Sequence, residues 1–270
     1  MALEFHKDKQ RYFQMQHDNA AEYVIPFIER AFELKEGMHV CEIGCAEGGV
    51  LLAFLERGMT GVGVELSESR AELAEGFLAE HIEAGKARVI SKNIYDPTFE
   101  TEFRGQFDLI ILKDVIEHIP DQPKLMAFMK TYLKPGGHIF FGFPPWQMPF
   151  GGHQQLCKSR MGKMPWQHLL PKFMYRGLLK LYREDKPVVE ELMEIVDTRI
   201  SLERFQRIAR QTGYQIAAKQ LYLFNPIYKW KFKVKPRKQN KIVGAIPWVR
   251  NFWTTCGYYL LGVADDAASN

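Results

Sequence analysis

From residue 37 onward, short apolar runs alternate with stretches of helical spacing, the mark of βαβ units feeding a parallel sheet. Residues 40–43, 62–65, 88–91, 107–112 and 139–143 read as five strands. The run 107–112 is apolar apart from Asp108, as expected of a strand covered on both faces. Between the strands, 50–55 suits a helix stopped by Gly58, and 69–84 a second one with Ser67 as its cap and Leu73, Phe77 and Ile82 facing inward. Asp121 and Pro123 open a third helix that runs through Leu133, after which 134–137 turns the chain. Five strands with these connections predict a doubly wound sheet, whose ligand crevice lies at the carboxyl ends of the strands.

The flanks have other textures. Residues 11–34 carry apolar positions at roughly helical spacing, with Pro26 as a start or kink, so 1–36 forms a helical preface to the core at 37–143. Residues 144–200 hold six prolines and two tryptophans, and read as an inserted lid with one or two helices. Regularity resumes in 201–270. Ser201 caps a helix containing Leu202, Phe205, Ile208 and Ala209 that ends at Gly213, and 214–224 and 258–263 follow as strands.

Composition narrows the class. With 46% hydrophobic and 25% charged residues the chain is a soluble globular protein and not a disordered one. A net charge of +4 is too small to imply nucleic acid, but seven basic residues between Lys229 and Lys241 interleave with Tyr228, Trp230 and Phe232. That pattern within 225–250 fits either a solvated connection or a contact with an anionic membrane surface. Residues 1–10 lack the apolar core of a signal peptide and no run is long enough to span a bilayer, so a cytoplasmic protein, peripheral to the membrane at most, is expected. Cys41, Cys45, Cys157 and Cys256 have no zinc-knuckle spacing and no histidines at ligand distance, so no metal site is expected.

The strongest chemical signal is Glu42-Ile43-Gly44-Cys45-Ala46-Glu47-Gly48 at the end of the first strand. A tight glycine turn into a helix puts backbone groups beside a ligand that no side chain obstructs. The spacing is not the G-x-G-x-x-G of dinucleotide binding, and the leading Glu42 would repel a pyrophosphate while suiting an aminoacyl cation. Glu65 ends the second strand about 20 residues further on, where an acid accepts hydrogen bonds from both hydroxyls of an adenosine ribose. Glu65 argues for adenosine without choosing the cofactor.

Glu42-x-Gly44-x-x-x-Gly48, then Gly63-Val64-Glu65-Leu66-Ser67, then Phe107-Asp108-Leu109-Ile110 leading to Asp114-Val115-Ile116-Glu117-His118, then Leu133-Lys134-Pro135-Gly136-Gly137 resemble the class I S-adenosylmethionine-dependent methyltransferases, the ubiquinone-biosynthesis-like branch in particular. The resemblance covers 38–143 and implies a Rossmann-like, mostly parallel α/β sheet of seven strands with helices on both faces, the sixth and the antiparallel seventh supplied by 214–224 and 258–263. It implies S-adenosyl-L-methionine as cofactor and S-adenosyl-L-homocysteine as product. By position, Glu42 would sit near the methionine amino group, and Gly44, Cys45, Ala46 and Gly48 would offer backbone to the methionine moiety. Glu65 would hold the ribose with Leu66 beside it, Asn93 would meet the adenine amino group, and Ile94 would cover the ring. Lys113 and Asp114 would line the methionine end. Ala46 stands where the family usually has a second glycine.

The acceptor is less legible. The loop 143–155 leaves the fifth strand over the expected crevice, and its Trp146 and Gln154 are candidate substrate contacts. Because a sulfonium is already a strong electrophile, the protein has mainly to place a nucleophile in line. For a hydroxyl acceptor, His153 or His118 is the candidate base, an imidazole near ~6.5 being matched to neutral pH. Small-molecule, glycan and lipid-linked acceptors all remain open. An NAD-dependent oxidoreductase and a non-catalytic cofactor-binding protein on the same fold are the alternatives.

Overall fold

The computed structural model describes residues 8–263; residues 1–7, on which most of the expectation about a signal peptide falls, and 264–270 lie outside the described residues. Eight strands form one sheet: β1 (His39–Ile43), β2 (Thr60–Val64), β3 (Ala87–Ile90), β4 (Phe107–Lys113), β5 (Leu133–Phe143), β6 (Tyr214–Phe224), β7 (Arg237–Lys238) and β8 (Cys256–Val263). Their order is β3-β2-β1-β4-β5-β8-β6-β7. The first five pair in parallel, and β8 lies antiparallel between β5 and β6. The expected seven strands are present, and the two-residue β7 adds an eighth at the edge of β6.

Alternation along the central strands explains the two cores. Ile110, Leu112, Ile139 and Phe141 pack with the helices Pro97–Phe103, Gln122–Met129 and Leu202–Gln211. Leu109, Ile111 and Phe140 point the other way, into Ile25, Ile28 and the helix Gly49–Leu55. A strand side chain reverses face at every residue, so runs buried on both faces must be apolar throughout, as these are. Gly61 on β2 lets Gly49–Leu55 approach: a Cβ there would lie 2.6 Å from Leu51 Cδ1.

Several local expectations need correction. The helix expected over 69–84 is two pieces, Glu68–Phe77 and Ala79–Glu83, and it buries Ala71, Ala74 and Leu78. Leu73 is exposed, and Phe77 is half-buried because it stacks on Phe13 of the preface with ring centroids 4.5 Å apart. Ser67 occupies the cap position without a side-chain cap bond. The preface helix Lys9–Asn19 passes through a π-helical turn, Ala20–Val24, into Ile25–Ile28, and Pro26, which has no N–H to donate, falls just after the π turn where the helical hydrogen-bond pattern changes. The supposed turn at 134–137 is absorbed as an irregularity in the β4–β5 pairing.

The lid holds two helices, Lys172–Leu181 and Lys186–Thr198, with a small core of its own around Cys157, Met161, Tyr175, Leu179 and Leu192. Trp146 N–H to the Ile200 carbonyl at 2.8 Å ties its two ends together where it leaves and rejoins the sheet. No described helix is long and apolar enough to cross a membrane.

Candidate active site

The loop after β1 is built to leave space. Gly44 sits at φ +71, and a Cβ there would come within 2.6 Å of Val115 Cγ2. The Gly44 and Cys45 amides donate to the Val64 carbonyl at 2.7 and 3.1 Å, which pins the loop to the end of β2. Gly48, also left-handed at φ +84, starts Gly49–Leu55. Ala46 takes φ +52, a conformation in which glycine would be at ease and alanine is strained. That strain is held by Glu65, whose carboxylate accepts from Ala46 N–H at 3.0 Å and from Ser67 N–H at 3.1 Å. Glu65 thus clasps the first two crevice loops.

Glu42 is buried and accepts from the Leu51 amide at 2.9 Å. Burial pushes its carboxyl up to about 8, against the Leu51 N–H and the Lys113 charge. A cationic group arriving beside it would favour ionisation, the chemistry expected of an acid that meets an ammonium. Cys45 is a buried thiol pushed well up by burial, which makes it a packing residue and not a reagent. Leu66 is 71% exposed at the rim, and Asn93 is exposed with its side-chain oxygen accepting from Tyr95 N–H at 3.0 Å. Ile94, by contrast, is buried in the core.

At the end of β4, Lys113 is buried and paired with Asp114 at 2.6 Å. Burial works against both charges, and the pair overrides it: Lys113 is held above, and Asp114 below, its ordinary range. Next comes the turn Ile116–His118. The Thr198 hydroxyl of the lid donates to the Glu117 carbonyl at 2.5 Å, and the Gln122 amide donates to the Ile116 carbonyl at 3.3 Å. His118, on this clamped turn, packs against His153 with ring centroids 5.0 Å apart and keeps the rest of its side chain open to solvent. Burial lowers His118, and burial together with the neighbouring His118 pushes His153 down to about 4.

Trp146 and Gln154 play a different part. The Trp146 carbonyl, which can only accept, takes the His168 Nε2 proton at 2.6 Å, so His168 Nδ1 keeps its lone pair and accepts from Gln154 at 2.9 Å. Gln154, fully buried, also donates to the Pro149 carbonyl at 3.1 Å and so braces the lid loop. The Trp146 ring lies under Arg199, 5.2 Å from the guanidinium, and its indole N–H is buried without a partner among the described residues.

Some contributors were not singled out in the sequence. Glu47, in the glycine loop, is 2% exposed and paired with Lys9 of the preface at 2.6 Å, which fastens that helix over the loop. Tyr228 and Lys231, read above as part of a basic surface stretch, bring their charge and ring to the crevice: Lys231 acts on Asp114 and His153 and sits 5.2 Å from the Tyr12 ring. Glu117 is buried. An acid inside the apolar run Val115-Ile116-Glu117-His118-Ile119 was its only sequence signal.

Loops after β1, β2, β3 and β4 therefore converge on one edge of the sheet, with a left-handed glycine cradle and the Glu65 carboxylate beside it, while the lid covers the loops after β4 and β5. This is the architecture of a class I S-adenosylmethionine-dependent methyltransferase. Residues 15–218 match the family model described as a methyltransferase domain, and the chain belongs to that family. It is 31% identical over 117 residues to the ubiquinone biosynthesis O-methyltransferase of Coxiella burnetii (strain Dugway 5J108-111), 43% of this chain and 47% of that protein, so the chain spans about half the length of the curated relatives it matches. Among solved structures it resembles geranyl diphosphate C-methyltransferase from Streptomyces coelicolor A3(2), in complex with Mg2+, geranyl diphosphate and S-adenosyl-L-homocysteine (TM-score 0.56, 13% identity, 91% of this chain and 78% of that one). It also resembles Haemonchus contortus phosphoethanolamine N-methyltransferase 2 (TM-score 0.52, 15% identity, 89% and 52%). Oxygen, carbon and nitrogen all appear in the names of these proteins, so the fold leaves the acceptor atom open.

Proposed function

We propose that the chain methylates a hydroxyl oxygen of a small-molecule, glycan or lipid-linked acceptor held under the lid. The observation that carries this reading is the meeting of His118 and His153, from loops 35 residues apart, beside Asp114 at the mouth of the crevice. Their imidazoles are neutral and offer lone pairs to a departing hydroxyl proton, with His153, lowered to about 4 in place of the ~6.5 expected from the sequence, the weaker base of the two. S-adenosylmethionine supplies an electrophilic methyl group. The chain's part is placement: the Gly44 cradle for the cofactor, Glu65 with Leu66 at its ribose, Glu42, Lys113 and Asp114 at its methionine end, and Asn93 at the adenine. Incubating the protein with methyl-labelled cofactor and fractionated small molecules, glycans and lipids should label a methyl ether carbon in one fraction. His153→Ala should lower that turnover by about 10² to 10⁴ with cofactor affinity unchanged. Label on nitrogen or carbon, or full turnover in the variant, refutes the reading.

A peripheral membrane contact is supported by one further observation. Ile242 (75% exposed), Trp248, Val249 and Trp253 form an open apolar surface in the 225–250 stretch and just beyond it. The contact of Trp253 with Trp166, centroids 6.4 Å apart, joins it to the lid, where Phe173 (77% exposed) and Leu181 also face outward. Lysines 235, 238 and 241 lie in the same stretch, the mixture of rings and cations that anionic headgroups attract.

A further inference from the structure

The tripeptide Pro-Trp-Gln occurs twice in the lid segment, at 145–147 and at 165–167, and the fold brings both copies to His168. His168 is fully buried, donates from Nε2 to the Trp146 carbonyl, accepts from Gln154 at Nδ1, and sets its ring edge-on to the Trp146 indole with centroids 5.3 Å apart. The Trp166 amide donates to the Pro149 carbonyl at 2.8 Å, which ties the second copy to the loop that carries the first. Gly152 lies so close to the imidazole that a Cβ there would come within 2.3 Å of His168 Cβ. The next residue is His153, so the cluster stands directly behind the histidine that packs against His118.

Five buried polar atoms on the residues around His168 have no hydrogen-bond partner among the described residues: Trp146 Nε1, Gln147 Oε1, Gln154 Oε1, and both Nε2 and Oε1 of Gln167. Gln154 and Gln167 are themselves more than nine-tenths buried, and Gln154 braces the loop with its NH2 alone, leaving its oxygen over. Buried polar atoms in folded proteins are nearly all satisfied, so five together mark a place where a partner enters. The set has a chemical signature: three amide oxygens that only accept and two N–H groups that only donate. A phosphate or carboxylate would serve the donors but has no proton for the three oxygens, and an ammonium would have the opposite fault. Hydroxyl groups donate and accept at once, and a ring carrying several of them answers both needs. The set is also uncharged, because burial lowers His168 to about 4 and the exposed Arg199 above the Trp146 ring donates to the Val196 carbonyl.

We propose that Trp146, Gln147, Gln154 and Gln167 form a subsite for a neutral sugar unit of the acceptor. The inference rests on the hydroxyl-methylation reading and narrows its acceptor to a compound that carries a sugar ring, free or lipid-linked. The lid has a small core of its own, so it can swing as a body to admit the sugar and close over it. Closure then buries the sugar hydroxyls against the two Pro-Trp-Gln copies and excludes water from the side of the crevice where His153 stands.

The test uses the whole chain loaded with S-adenosylhomocysteine and titrated, by saturation-transfer NMR, with the methyl glycosides of glucose, galactose, mannose, rhamnose and N-acetylglucosamine. At least one should bind, with the roughly millimolar affinity of so small a ligand, and inorganic phosphate should not displace it. Gln147→Leu, Gln167→Leu and Trp146→Phe, the last keeping a ring but no N–H, should each weaken that binding by about three- to tenfold while S-adenosylhomocysteine affinity holds. Because the leucine variants delete buried polar atoms that lack partners, their melting temperatures should equal or exceed the parent's; Trp146→Phe decides the matter if either melts early. Lower melting temperatures with glycoside binding unchanged would mean that the atoms hold internal water, and overturn the subsite. Failure of every glycoside to bind, or displacement by phosphate, overturns it as well. In the labelling experiment described above, the product should release a sugar on acid hydrolysis. A labelled methyl ether without a sugar sinks this proposal alone, whereas label on nitrogen or carbon sinks the hydroxyl-methylation reading and leaves the glycoside titration to decide the subsite.

Discussion

Glu65 offers the sharpest test of the cofactor site, because its carboxylate is asked to do two jobs. Its two oxygens accept from Ala46 N–H at 3.0 Å and Ser67 N–H at 3.1 Å, and the same group is proposed to receive the ribose hydroxyls. Glu65→Ala removes a charged acceptor, worth about 1.5 to 3 kcal/mol to a ligand, or about tenfold to 150-fold in affinity. Glu65→Gln is informative for a geometric reason. An amide has only one oxygen, so one of the two backbone donors must face an NH2 group, and the clasp between the glycine loop and the loop after β2 is half lost. Since Ala46 is held at φ +52 by that clasp, the conservative change should also weaken binding, by about tenfold. Calorimetric titration with S-adenosylmethionine, and with NAD as the negative control, measures both, and melting curves check that the fold survives. Parent-like affinity in Glu65→Ala, or NAD binding with no S-adenosylmethionine binding, would refute the reasoning.

Gly44→Val places a branched side chain at φ +71 against Val115, and strain plus overlap should cost about 2 to 5 kcal/mol, seen as a lowered melting temperature with loss of cofactor binding; an unchanged melting point with parent affinity removes the cradle from the account. For the membrane surface, the triple change Ile242→Ser, Trp248→Ala and Trp253→Ala should abolish sedimentation with anionic vesicles, whereas Lys229→Gln should not, because Lys229 is bound to Glu22 and lies against Trp230. Equal sedimentation of the triple variant would end that idea.

What the sequence disclosed was local. The ends of β1 and β2 could be read because strand, turn and acid follow one another within a few residues, so the physics of Glu42, Gly44 and Glu65 is written in order along the chain. The same locality located β6 to its terminal residues, between a helix stop at Gly213 and the bend after Phe224. What failed was whatever depends on partners far away. Leu73 has the hydrophobicity of a core residue and the right helical phase, yet the small Ala71 and Ala74 are what the packed face accepts. Tyr228 and Lys231 sit in a run of cations that looks like surface, and only the fold brings them to Asp114. His118 and His153 were each suspected singly, but nothing in the spacing pairs them with each other.

The antiparallel strand β8 lies between β5 and β6, and this has a bearing on how the protein is made. Residues 214–224 leave the ribosome with no long neighbour in the sheet to dock on, since the edge of β5 is reserved for 256–263 and β6 pairs only with that strand and the two-residue β7. Until the later segment emerges, Phe141 and Phe143 on β5 wait for the Tyr259 and Leu261 side chains that complete their shared core. The first five strands can assemble in order of synthesis, but the last three close in a single late step. A chain with 225–255 outside the ribosome and 256–263 still within it would therefore expose β5 and β6 as two open edges, free to pair with other chains.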